Sequence, residues 1–535
     1  MDLDLMVRKF TSTSDCHQWA RYVMTEESLD PIEISDETSS TPIEEAERRF
    51  IAFFLKLART LFELARVPIF REITLASMVL KDRQRRIFTL KLRCTWIDFI
   101  PLDIYNSIFD ITVRACDWMA ENSPRSDHQE KILSSIHRQV FERLREQVPG
   151  GDSTIPVLKT AHQLGIPFMH LGLGAYQIGW GSQARRLDRS ATELDSAIGA
   201  KLSHNKVTAG NLLRLAGLPA PVHVVVDEPA SALAAAERLG FPVVVKPVDG
   251  DRGEGVTVDI SDADELRTSV AHALQFSVAK KVIVERQVAG VCHRLFVANG
   301  GLLYAVKRWP IAVRGDGKRS VNDLVNEALK EQKRLPPWTR SRLRPLDERA
   351  RAALAHEGLS PNTIPPMGSL APLRRIESTA DGGVDEEVTA NVHPANLSAA
   401  LIATKLFGLH VAGIDIISPD IARPWYENGA IINEVNFAPL FGGGDVSRSY
   451  IASFLTEFLN GDGRIPVERH DSEEAALAQQ LLHHRQGRRC YFTTPTRTLD
   501  SCGKLVSMPF RKLNQRLKAL VYRFDVDAIV YCLGD

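Results

Sequence analysis

Apolar positions recur along the chain at two periods, and residues 411–439 show the sharpest pattern. Two β-rich apolar runs, 411–417 and 430–435, flank a segment holding Pro419, Pro424 and Asn428-Gly429, which predicts neighbouring strands joined by a turn. Far upstream the period is helical. Phe50, Phe54, Leu57, Leu61 and Leu64 fall on one stripe of an amphipathic helix over 42–66. Thr41 is its expected N-cap, with Pro42 at the first helical position and Glu44 as capping-box partner. The first forty or so residues are polar without sustained period and read as partly disordered. From there through Val148 helical and strand-like pieces alternate without a recognisable motif.

The period changes quickly from Thr154 onward. A helix over 157–164 ends at Gly165, a short strand covers 166–171, and 172–181 is a glycine-rich turn. Helices are expected over 205–216, 229–239 and, capped by Ser261, 261–277; strands over 241–246 and 281–288. Asn299-Gly300-Gly301 sets a hairpin between 292–298 and 302–308. Residues 315–358 hold two arginine-rich helical stretches, followed by a short strand at 373–376, a small-residue loop at 378–383 and a helix over 394–407. The tail alternates helix (472–484), strand (490–494), helix (510–522) and strand (528–532).

Candidate chemistry sits on this frame. Asp415 lies inside one apolar run, and Glu434 and Asn436 lie two apart in the other, so the pleat sends that pair to one face. Two carboxylates and an amide carbonyl suit a hard cation such as Mg2+, although a lone acidic residue at a strand end is equally at home on a solvated face. The strand 241–246, which carries Lys246, opens into Asp249-Gly250-Asp251-Arg252-Gly253-Glu254-Gly255. Such a loop frees backbone N–H groups to approach an anion, and a surface loop needing positive φ would use the same glycines. The 292–308 hairpin carries Arg294 on one strand and Lys307 and Arg308 on the other, where solvated charge is the ordinary reading.

Composition narrows the classes. With 535 residues the chain is long enough for several domains, and 66 basic against 66 acidic residues leave no net charge. Neither a nucleic-acid stripe nor attraction to an anionic membrane is expected. Seven scattered cysteines without CxxC spacing argue against a disulfide framework or zinc site and fit a reducing cytoplasm. No secretory signal is visible, and the most apolar stretch, 96–113, is interrupted by Asp98, Asp103 and Asp110, so no membrane span is expected.

In their order and spacing these pieces resemble the ATP-grasp carboxylate–amine ligases, above all the ATP-grasp portion of cyanophycin synthetases. The resemblance runs over about residues 154–461 through SAIGAKLSHNKVTAGNLLRLAGLPAP (196–221), PVVVKPVDGDRGEGV (242–256), VIVERQVAGVCHRLFVANGGLLYAVKR (282–308), NVHPAN (391–396), GIDIISPDIARP (413–424) and AIINEVNFAP (430–439). It implies an α+β ATP-grasp fold, two α+β lobes enclosing ATP, with an N-terminal α/β domain (1–153), the ligase domain (154–465) and a short C-terminal αβ extension (466–535). By position it implies that Lys206 and Lys246 contact ATP phosphates and that Gly250, Arg252, Gly253 and Gly255 belong to the flap over them. Glu285 and Val288 would line the adenine and ribose pocket, Asp415, Glu434 and Asn436 would hold Mg2+, with Mn2+ as an alternative, and Arg294 and Arg308 would stabilise the transferring phosphoryl and acyl phosphate.

Three departures, Cys292, Asp381 and Leu440, stand on what the resemblance makes the acceptor side. No GxxxxGK[ST] loop occurs, so the second, muramyl-ligase-like ATP-dependent domain of those synthetases is expected to be absent. The implied activity is formation of an amide or peptide bond from a small carboxylate and a small amine through an acyl phosphate, releasing ADP and phosphate. The rival reading is an ATP-binding regulatory or scaffold subunit without turnover. Neither nucleic acid nor membrane is an expected partner; a second copy of the chain is.

Overall fold

The computed structural model describes residues 2–6, 10, 12–24, 44–82, 84, 87–249, 253–377 and 382–533. They group into two compact units: Met1–Glu193 with Leu440–Gly443 and Ile451–Asp535, and Leu194–Pro439 with Gly444–Tyr450.

In the first unit the long amphipathic helix runs Glu45–Leu64 and is capped by Glu44, not by Thr41. The reason is a carboxylate capping box: Glu47 reaches back to accept the Glu44 N–H at 2.9 Å. Thr41 and Pro42 lie outside the described residues. Phe50, Phe54, Leu57 and Leu61 of the apolar stripe are buried and Leu64 is half-buried at its end, and Phe62 meets Phe109 of helix Leu102–Glu121 edge-on at 5.4 Å. Beside these helices the strands Asp2–Met6, Ile87–Arg93 and Thr74–Asp82 pair antiparallel. The parallel pairing of an α/β domain is found instead near the C-terminus, where Ala528–Tyr531 lies between Val467–Arg469 and Cys490–Thr493.

Residues 172–181 are not one turn. Gly172, Gly174, Gly179 and Gly181 all take positive φ and punctuate a true strand, Ala175–Ile178, in an antiparallel meander of four strands. This meander is tied to the C-terminal segment by Trp180 N–H to Gly463 O (2.7 Å) and Ser182 N–H to Val526 O (2.8 Å). The seam between units therefore falls at 193/194.

The second unit begins with α1 (Ala197–His204) and α2 (Lys206–Leu215), followed by β1 (His223–Val226), α3 (Pro229–Leu239), β2 (Val243–Pro247), β3 (Thr257–Ile260), α4 (Ala263–Phe276) and β4 (Val282–Arg286). These strands form an antiparallel sheet in the order β3-β2-β4-β1. One face is apolar: Val243, Val245, Val282 and Val284 pack on Ala232 and Ala236 of α3 and Val270 and Ala273 of α4. Period two then forces Lys246, Ile283 and Glu285 to the other face. The cap of α4 is Asp262, whose carboxylate accepts both the Asp264 and Glu265 N–H groups; Ser261, expected as the cap, lies one residue outside.

Next come β5 (Val291–Ala298), β6 (Gly301–Pro310), β7 (Ala312–Arg314), α5 (Val321–Lys333), α6 (Glu348–His356), β8 (Leu370–Pro372), β9 (Gly383–Glu387), α7 (Pro394–Leu406), β10 (Ala412–Ser418) and β11 (Ile431–Phe437). The main sheet runs β9-β6-β5-β10-β11, and β7 pairs with β8. The strand expected at 373–376 is displaced to β8, because Arg374 turns inward to a two-pronged pair with Asp347 (3.0 and 2.9 Å) and the backbone bends there. Leu295, Val297, Ile414, Ile416 and Ile432 bury one face of the main sheet against Ala399, Ala400 and Ala403 of α7. The opposite face carries the charged residues, alongside Phe296 and Val306.

Candidate active site

That polar face follows from register. Across β5, β10 and β11, Arg294 stands opposite Asp415 and Asp415 opposite Glu434; one row along, Cys292 stands opposite Arg308, which stands opposite Asp385 on β9. Directly opposed residues project from the same side of a sheet. One row runs Arg294, Asp415, Glu434 and the other Cys292, Arg308, Asp385.

Arg294 donates to both carboxylate oxygens of Asp415 at 2.7 Å, in a fork-to-fork pair whose two side chains are 17% and 6% exposed. Burial alone would lower the Arg294 pKa, but the charge and hydrogen bonds of Asp415, with Cys292 and Glu377 adding, hold it above the ordinary guanidinium value. Asn436 donates to Asp415 Oδ2 at 3.2 Å and to Gly413 O at 3.3 Å. Glu434 is held from α2 by Lys206 at 3.1 Å; the lysine opens that helix, whose first turn is fixed by Asn205 accepting the Thr208 N–H. On the other sheet Lys246 reaches diagonally across β2 and β4 to Glu285 at 2.8 Å. Arg308 pairs with Glu377 at 2.5 Å.

Four of the cations named from the sequence are thus matched to a carboxylate within the second unit. Lys206–Glu434, Lys246–Glu285, Arg294–Asp415 and Arg308–Glu377 leave these groups neutral in sum. Asp415, Glu434, Asn436, Arg294 and Lys206 are joined by contact or register, whereas Lys246 and Glu285 form a separate pair on the neighbouring sheet. Val288 is half-buried in the coil after β4. Gly250 and Arg252 lie outside the described residues, as does Asp381. Gly253 and Gly255 take φ of +76° and +69°, and a Cβ on Gly255 would come within 2.9 Å of both Phe276 and Pro247. Leu440 belongs to the first unit and is half-exposed beside Gly443.

Burial pushes the Cys292 thiol well above its ordinary value and Asp415 adds to the shift, so this residue is a neutral thiol and a poor nucleophile at neutral pH. Among the described residues no group of three or more His, Cys, Asp and Glu is arranged to hold a metal. The trio of Asp415, Glu434 and Asn436 has only two such residues, with the amide as third donor. Its chemistry fits a hard divalent cation: two carboxylates held opposite each other repel, and a cation between them relieves the repulsion that Arg294 and Lys206 relieve here. Glu377 escaped sequence reasoning, since a single Glu before Ser-Thr in a loop carries no periodic signal and its partner is 69 residues away.

Residues 205–294, from α2 to the middle of β5, match the family model for the ATP-binding domain of the carbamoyl-phosphate synthase L chain. The second unit carries an ATP-grasp fold. Over 294 residues the chain is 32% identical to the cyanophycin synthetase of Trichormus variabilis, covering 54% of this chain and 32% of that protein. Over 356 residues it is 33% identical to the cyanophycin synthetase of Geminocystis herdmanii, covering 63% and 40%. The chain thus spans well under half the length of the curated relatives it matches. Among solved structures, a bifunctional glutathione synthetase from Pasteurella multocida aligns with a TM-score of 0.44 at 19% identity, over 76% of this chain and 70% of that one.

Proposed function

We propose that the second unit is the catalytic part of an ADP-forming carboxylate–amine ligase, which phosphorylates a small carboxylate with ATP and passes the acyl group to a small amine. The observation that carries this reading is the row Arg294–Asp415–Glu434–Lys206, in which two carboxylates opposed on adjacent strands are each paired to a cation on the outer side, across three strands and a helix start. With Mg–ATP bound, the lysines and arginines would turn to phosphate oxygens, and Asp415, Glu434 and Asn436 would hold the metal. Within the row Arg294–Asp415–Glu434–Lys206 little charge is then left bare at either stage. Lys206 and Lys246 grip the phosphates, Glu285 turns to the ribose, with Val288 beside the base, and Gly253 and Gly255 give the flap its bend. Mg2+ bound by Asp415, Glu434 and Asn436 supplies charge neutralisation for the transferring phosphoryl. Arg294 and Arg308 hold the phosphoryl and then the acyl phosphate, so that positioning and fixed charge do the catalysis.

The expected setting is synthesis of a peptide-like metabolite in the cytoplasm, with 1–153, 154–465 and 466–535 as sequence domains that do not coincide with the two compact units. The seven cysteines are scattered without CxxC spacing, the pattern of a chain from a reducing compartment. Among the described residues no helix is long and apolar enough to cross a membrane. The test is ADP release from the purified chain with Mg–ATP and pools of carboxylates and amines, followed by mass spectrometry of products. Release that needs both pools supports the ligase; tight ATP binding with no dependence on either makes the protein an ATP-binding scaffold.

A further inference from the structure

We infer that Glu377 docks the incoming amine as an ammonium ion and takes the proton that must leave before the amine can attack, an inference that rests on the ligase reading. Glu377 and Arg308 have side chains only 14% and 13% exposed. The stem of the glutamate is closely packed: a Cβ on Gly383 would lie 3.3 Å from its Cγ. The groups facing it are Arg308 on β6, Arg294 and Cys292 on β5, Asp415 on β10 and Asp385 on β9, the last half-exposed and 4.0 Å from Arg308.

This set holds two guanidinium groups and three carboxylates. Once Arg308 and Arg294 turn to the phosphoryl and the acyl phosphate, Glu377 is a buried carboxylate short of a cation. An ammonium ion fits that place by charge and by its hydrogen-bond donors, and it arrives beside the electrophile that Arg308 holds. Burial raises the Glu377 pKa above the usual carboxylate range against the pull of Arg308 and Arg294, and a more basic carboxylate is the better proton acceptor. In the step, one N–H proton of the ammonium passes to Glu377 and the freed lone pair attacks the acyl carbon. The C–N bond forms, the C–O bond to phosphorus breaks, the second surplus proton leaves with the phosphate, and Glu377 returns its proton to water.

Hydroxylamine separates this role from a structural one, because it is uncharged at neutral pH and attacks acyl phosphates without a base. The full chain and its Glu377→Gln variant are given Mg–ATP and a pool of N-acetyl amino acids as carboxylates, with either hydroxylamine or a pool of amino-acid amides as nucleophile. The variant should keep hydroxamate formation within about threefold of wild type and lose amide formation by about a hundredfold or more. Equal loss of both products would mean that Glu377 only holds Arg308 in place, and loss of neither would remove it from the reaction; either overturns the inference. Wild-type protein that binds ATP but gives no hydroxamate overturns the ligase reading itself. Should the variant not fold, the wild-type pH profile reads the same group: kcat/KM for amide formation should rise through a pKa above the carboxylate range, and the hydroxamate profile should lack that limb. The same limb in both profiles would overturn the assignment.

Discussion

Arg294 and Asp415 face each other on adjacent strands with two hydrogen bonds and almost no solvent, so a substitution at Asp415 removes more than a metal ligand. From sequence alone Asp415→Asn and Glu434→Gln are each expected to abolish turnover and leave the fold intact. The structure separates them. Asp415→Asn leaves a buried guanidinium without its counter-charge, and unfolding in urea should show a loss of about 3–5 kcal/mol. Glu434→Gln breaks a pair whose members are 34% and 24% exposed, so its stability should stay within about 1 kcal/mol of wild type. Both should lose ADP release; a Glu434→Gln enzyme within a few fold of wild type and with normal Mg2+ dependence would remove that residue from the metal site. Arg294→Lys and Arg308→Lys test the fork itself, since an ammonium cannot grip two oxygens in a plane. Turnover should fall at least tenfold or so in each, and full activity in either variant would return that residue to an electrostatic supporting part.

At the scale of elements, the flap and the two lysine-bearing elements make different demands. Gly255 takes positive φ with two neighbours crowding its missing Cβ, so Gly255→Ala should distort the loop after β2. Its effect is expected on kcat, by admitting water to the reacting phosphoryl, with the KM for ATP changed less. Lys206→Ala and Lys246→Ala should do the reverse and weaken ATP binding by about tenfold each, as loss of a charged hydrogen bond does. A Gly255→Ala enzyme with unchanged kcat and poorer ATP binding would contradict the flap assignment. The hairpins at 291–310 and 412–437 were legible because alternation of apolar and polar residues, with Asn299-Gly300 at one turn, fixes strand and face together. Alternation misled at 373–376, where a buried Arg374 answers to a distant Asp347. Ion-pair partners were not legible at all: Lys246–Glu285, Arg294–Asp415 and Lys206–Glu434 span 39, 121 and 228 residues of sequence, and only the assembled sheets bring them together.

At the scale of the molecule, every described residue assigned to nucleotide, metal or acyl phosphate falls in the second unit, although the first unit closes with the last segment of the chain. The first unit takes its strands and helices from both ends, and the backbone bonds from Trp180 and Ser182 to Gly463 and Val526 cross nearly three hundred residues or more of sequence. A ligand that binds only one folded unit stabilises that unit alone, by about 2.7 kcal/mol when present at a hundred times its Kd. Hydrogen exchange can therefore read the division directly. With Mg–ATP, amides of α2, β2, β4, β10 and β11 that exchange through unfolding of the second unit should slow by about a hundredfold. Those of helices Glu45–Leu64 and Leu102–Glu121 and of strands Cys490–Thr493 and Ala528–Tyr531 should keep their rates. Protection appearing first in the C-terminal strands would place the nucleotide in the first unit and overturn the assignment. Equal slowing everywhere would show that the two units unfold as one, and the ATP-dependent shift would then have to be sought in the Lys206 and Lys246 variants, whose loss of protection should parallel their loss of affinity.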